Sequence, residues 1–123
     1  MPPLREDKKQ IGLTKVGKEA LAALTAEDRF ASESDAYKFA IAYAIAKDMS
    51  PDDAPDGGYE TKFNAAGGLD LDGVLRNLLL VLEVGDPAKP YTTAERLAEV
   101  GICALARRIE DHESLAEIMA ELA

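Results

Sequence analysis

Ile11 and Leu13 alternate with Gln10, Gly12 and Thr14, the period of two that predicts one short strand. From Lys15 the spacing lengthens to that of a helix, Lys15–Leu24, with Val16, Ala20, Leu21 and Leu24 on one face and Thr14 placed to cap it. Thr25–Glu33 reads as a connector, with Phe30 as an anchor onto the core. Ser34 followed by Asp35 is a start signal for a second helix reaching Met49, because both favour the exposed amides of a first turn. Met49–Gly68 carries Pro51, Pro55, Gly57, Gly58, Gly67 and Gly68 among aspartates, which is loop chemistry with a short ordered piece at Tyr59–Phe63. A third helix runs from a cap at Asp70 or Asp72 to about Val84, stopped by Gly85 and Pro87. Thr92 and Glu95 have the spacing of a capping box for a fourth helix through about Glu110, and Leu115, Ile118, Met119 and Leu122 form the stripe of a last one, about Glu113–Leu122. The expected fold is therefore all-α, a compact bundle of about five helices with a short N-terminal β-strand. Residues 1–10 form a flexible basic arm and 11–123 a single helical domain.

Two of these helices differ from the others. In Ser34–Met49, Tyr37, Phe39, Ile41, Tyr43 and Ile45 point in widely different directions; in Asp72–Val84, Leu75, Leu78, Leu79, Leu80, Val81 and Leu82 leave little polar surface. A helix that is apolar all round must be covered on several sides. Each aliphatic side chain left in water forgoes about 1.5–3 kcal/mol, so several together rival a whole domain's stability of roughly 5–15 kcal/mol. A chain of 123 residues has little material to cover both. A homo-oligomer, dimer or tetramer, follows as the expectation, with Phe39, Tyr43, Leu75, Leu79 and Leu80 at the interface.

The net charge of −9 is uneven: +1 through Lys47, with eight basic against seven acidic residues, and −10 from Asp48 onward, with six against sixteen. Long-range repulsion of nucleic acid then leaves only the N-terminal region, five basic against two acidic residues in the first 18, as a DNA contact. No apolar run approaches the roughly 20 residues of a membrane span, and no signal-peptide pattern is read, so a cytoplasmic location is expected. Cys103 is the sole cysteine, which fits a reducing compartment, and arginines near it on the fourth helix would lower its pKa. His112, the sole histidine, lies too far along that helix to serve as its base. Asp52-Asp53-Ala54-Pro55-Asp56-Gly57 echoes a calcium loop but lacks the third-position ligand, and Phe63 stands where a bidentate glutamate is needed. Asp70-Leu71-Asp72-Gly73 is better explained by helix capping. Phosphate-binding and dinucleotide fingerprints are missing. No catalytic residue, metal or cofactor is expected.

A basic arm, an alternating strand and two helices resemble the ribbon-helix-helix arrangement, in which two chains pair their strands and the ribbon enters the major groove. Lys8, Gln10 and Gly12 would then face the groove, and the amides at Ser34 and Asp35 would take a phosphate. Over Ile11–Ile109 the order of elements also resembles the small E subunit of the bacterial DNA phosphorothioation (Dnd) machinery. The stretches that carry it are IGLTKVGKEALAAL, YKFAIAYAIA, KFNAAGGLDLDG leading into VLRNLLLVLE, and ERLAEVGICALARRI. That resemblance implies an all-helical oligomer acting as a non-enzymatic accessory factor in DNA modification or phage defence. It also implies DNA contact through lysines, here Lys8, Lys9, Lys15 and Lys18, beside the Gln10 and Ser34 of the ribbon-helix-helix comparison, and protein partners in a defence or modification complex. Two readings of other classes stand beside it: an acidic adaptor or inhibitor of a basic, nucleic-acid-binding partner, and a small enzyme using Asp52 or Cys103.

Overall fold

In a computed structural model describing residues 7–122, the strand β1 (Gln10–Leu13) leads directly into α1 (Lys15–Thr25), where Thr14 accepts a hydrogen bond from the amide of Gly17 at 3.1 Å. A tight turn then reaches α2 (Glu33–Ala46). The long connector that follows contains β2 (Glu60–Asn64), and three more helices complete the chain: α3 (Val74–Val81), α4 (Pro90–Glu110) and α5 (Leu115–Glu121). The fold is mostly helical, as expected, but it is not all-α. β1 and β2 form a two-stranded antiparallel sheet in which Ile11 faces Phe63 and Gly12 faces Thr61, leaving Lys62 as a bulge.

α4 is the central helix. α1, α2, α3 and the sheet all pack against it, and Leu97, Ile102 and Leu105 are fully buried. Its closest neighbour is α2, and the approach is set at one point: a Cβ on Gly101 would lie 2.3 Å from the carbonyl oxygen of Ala40. Only glycine there, facing an alanine, lets the two backbones come this near. α2 buries Ala36, Tyr37, Ala40, Ile41, Tyr43 and Ala44. Tyr37 meets Phe63 of β2 edge-on at 5.0 Å and donates to the carbonyl of Gly12 at 3.0 Å. On another side Phe39 packs on Phe30 at 5.6 Å, and at the far end the Tyr43 hydroxyl accepts from Arg108 at 3.1 Å. α2 is thus covered from several directions by its own chain, contrary to the expectation that a lone subunit could not do so.

Three local expectations are corrected. The N-cap of α2 is Ser32, which accepts from the Asp35 amide at 3.1 Å, so Ser34 lies inside the first turn. The capping box at the start of α4 does not form, because the amides of Tyr91 and Thr92 donate to the carboxylate of Asp7 at 2.7 and 2.9 Å. The left-handed residue ending α3 is Glu83 (φ 55°), with the amides of Glu83 and Val84 returning to the carbonyls of Leu80 and Leu79; Gly85 makes the next turn. The expected flexible arm falls partly on residues 1–6, outside the described residues; Asp7, by contrast, is fixed on α4.

Candidate interaction surface

The N-terminal segment is held by carboxylates one turn apart on α4. Glu95, 2% exposed, accepts from the amide of Gly12 at 2.9 Å and pairs with the ammonium of Lys8. Glu99, 3% exposed, accepts from the amide and hydroxyl of Thr14 at 3.0 and 2.8 Å. It sits at the positive end of α1, where the helix dipole compensates a buried negative charge. A Cβ at Gly17 would come within 2.2 Å of that carboxylate, so glycine leaves the space it occupies. The two acids perturb their surroundings: Tyr59 is pushed up to about 12 by burial, then by Glu99 and Glu95.

This clamp closes the outer edge of β1. The Gly12 amide is taken by Glu95, its carbonyl by Tyr37 and the next free amide, on Thr14, by Glu99. The other edge is paired with β2 of the same chain. A ribbon shared between two copies, as ribbon-helix-helix pairing requires, has no edge to form on. The predicted DNA-contacting residues are also dispersed among other roles. Lys8 pairs with Glu95 and lies 4.9 Å over the Tyr59 ring, and Lys18 pairs with Glu60 at 2.5 Å. Gln10 donates to Asn64 at 3.5 Å; Lys9 is exposed, its carbonyl accepting from the Ala65 amide at 2.9 Å. Lys15 is exposed at the start of α1, and Ser34 is half-buried in α2.

α3 offers a different kind of surface. Asp70, buried, accepts from the amides of Leu75 and Arg76 at 2.8 and 3.0 Å and from the hydroxyl of Tyr91 at 2.9 Å, fixing the start of α3 to the start of α4. Burial, then the bond to Asp70, pushes that phenol up to about 12. Leu79 faces inward and is 1% exposed, whereas Val81, two residues on, is 79% exposed. Val74, Leu78 and Leu82 join Val81 in water, and their spacing places them on one side of the helix; Leu71, in the turn before α3, is exposed as well. Beside them, between α2 and α3, runs a groove of about 280 Å³ whose lining includes Ile41, Ala42, Ile45, Val74, Leu75 and Leu78. Of the interface residues predicted from sequence, Tyr43 and Leu79 are buried in the chain's own core, and Phe39, Leu75 and Leu80 are half-buried. The outward set is Leu71, Val74, Leu78, Val81 and Leu82, because α3 lies at the rim of the molecule and packs inward through Leu79.

Cys103 departs from its expected character. Burial, then the Glu99 carboxylate 3.7 Å from its sulfur, pushes the thiol up to about 11, away from the reactive range that neighbouring arginines were expected to favour. Asp52 and Asp53 belong to a solvent-facing turn capped by Ser50, and among the described residues no cluster of histidine, cysteine and carboxylate groups is set to hold a metal ion. No helix among the described residues is long and apolar enough to cross a membrane.

No protein-family model, no curated protein and no solved structure matches this chain.

Proposed function

We propose that the protein is a non-enzymatic assembly subunit that acts by docking the outer side of α3 onto another polypeptide surface. The supporting observation is the row Val74, Leu78, Val81 and Leu82 on one side of a helix whose opposite side is anchored, with Leu71 in the turn before it, each between 42 and 79% exposed. These five large aliphatic side chains expose several hundred Å² of contiguous apolar surface, at the upper end of what monomers tolerate. An accessory role in DNA modification or phage defence rests on the sequence resemblance. In that setting the subunit would work through proteins, since Lys8 and Lys18 are committed to Glu95 and Glu60 and the edge of β1 is closed.

The test is purification of the tagged full chain from its own host cells, wild type beside a Leu78→Glu, Val81→Glu double variant. The wild type is expected in an assembly larger than the 13.2 kDa chain. The double variant is expected as a free monomer with unchanged far-UV circular dichroism, since both side chains already face water. An assembly that survives the double substitution overturns the proposal.

A further inference from the structure

We infer that the surface which docks on α3 is the same surface of a second copy, so that two α3 helices lie antiparallel about a twofold axis near Leu78. This rests on the reading of α3 as a docking face and names its occupant.

The first argument is the spacing. Within α3, Val74, Leu78 and Val81 are separated by four and three residues, the seam along which two helices interdigitate side chains, and Leu71 lies exposed just before it. Leu78 lies at the middle of the exposed row and so meets its own counterpart in an antiparallel pair.

The second argument is shape. The α2–α3 groove is lined by Val74, Leu75 and Leu78, at the N-terminal and middle part of α3. Leu82 follows Leu75 and Leu78 along the same flank, but at the opposite end, and is 48% exposed. A twofold axis in the plane between two copies keeps a flank on its own side and reverses the helix direction. It therefore lays Leu82 of each copy over the groove of the other. Projection and cavity at opposite ends of one flank are what a self-complementary, isologous contact needs.

The third argument is area and charge. Doubling several hundred Å² brings the contact to about the 1,000 Å² at which specific interfaces begin. The row and its neighbour Asn77 contain no charged side chain, and the groove beside them carries Lys38, Asp70 and Asp72 on its lining, in a protein of net charge −9. Two such copies repel each other at long range and attract only at the seam. Self-association should therefore strengthen as salt screens the repulsion, whereas docking to a basic partner would weaken.

The experiment is sedimentation of the purified full chain, alone, from about 1 to 100 μM, at about 20 and 500 mM NaCl. A dimer whose Kd falls with added salt is expected. Val81→Glu should raise that Kd about 100-fold by placing a carboxylate in the apolar seam, and Ala42→Arg, at an exposed position of the groove, should also raise it. Leu78→Cys in a Cys103→Ser background should form a disulfide-linked dimer on mild oxidation. A wild-type monomer at 100 μM overturns self-pairing alone, leaving the docking face to the preceding test on host-purified material. A dimer indifferent to Val81→Glu and Ala42→Arg places self-association elsewhere and overturns the pairing through α3. Association that weakens with salt, or a Leu78→Cys chain that stays monomeric on oxidation, overturns the antiparallel seam.

Discussion

α2 and α3 have nearly the same apolar character and opposite fates. α2 is enclosed: Gly101 admits it against α4, Phe63 and Gly12 meet Tyr37, Phe30 meets Phe39, and Arg108 reaches Tyr43. α3 is anchored by Asp70 and Leu79, and its other side stays in water. A helix that is apolar all round announces only that it wants several neighbours. Whether they come from the same chain depends on where the helix lies in the packing order. The central position adjoining α4 leaves α2 only the groove wall at Ala42 and Ile45 to offer a partner, and the rim position makes α3 the surface with most to gain from one.

The comparison is broken most forcefully at Tyr37. Replacing it with alanine removes a fully buried ring and leaves the Gly12 carbonyl without its donor. An aromatic-to-alanine change in a core costs about 3–5 kcal/mol, and the unpaired carbonyl adds to that cost. Urea denaturation should show a loss of at least about 3 kcal/mol, enough to unfold a marginal domain. A loss under about 1 kcal/mol would mean that α2 is as loosely covered as α3.

How far this architecture was readable follows the same division between local and distant causes. The start of α1 is written within four residues, because the Thr14 cap and the Gly17 amide are neighbours in sequence. The start of α4 is not legible locally, because its amides are satisfied by Asp7, 84 and 85 positions away, and no local pattern reports that. β2 left only a faint trace, as Glu60, Thr61, Lys62 and Asn64 surround one aromatic; its pairing is decided by β1. Glu95, which the sequence offers only as a capping-box residue, and Glu99 both lie along the buried arc of Tyr91, Ala98 and Ile102. Carboxylates in an apolar arc were a usable sign of buried acids with partners. The exposed row on α3 was half readable: periodicity marks the helix as apolar, but only packing decides that Leu79 turns inward and Val81 outward.

A middle-sized effect is expected where the cover over α2 is itself held in place. Glu99→Ala leaves the amide and hydroxyl of Thr14 without their acceptor, at a cost of about 1–3 kcal/mol for buried donors. A second substitution sharpens the result. Gly17→Ala should destabilise the wild type, because the new Cβ meets a carboxylate that two hydrogen bonds hold in place. In the Glu99→Ala background the obstruction is gone, and the better helix former should return up to about 1 kcal/mol. A double-mutant cycle by thermal or chemical denaturation reads the change of sign. If Gly17→Ala costs the same in both backgrounds, Glu99 is not the group that requires glycine there.

The smallest expected effect is the most discriminating for α3. Leu79 and Val81 are two residues apart on one helix, so helix formation itself is common to both. Leu79→Ala empties a buried site and should cost about 2–5 kcal/mol. Val81→Ser exchanges one solvent-facing side chain for another and should change folding stability by no more than about 0.5 kcal/mol. Both are measured by urea denaturation at about 1 μM and again at about 100 μM, because an assembly that buries Val81 adds its binding energy to the apparent stability. At the lower concentration Val81→Ser should be silent. At the higher one the wild type alone should gain stability, and the difference between the two curves measures what the open side of α3 holds in reserve. A clear loss at 1 μM, by contrast, would place Val81 against its own chain and remove the distinction between the two helices.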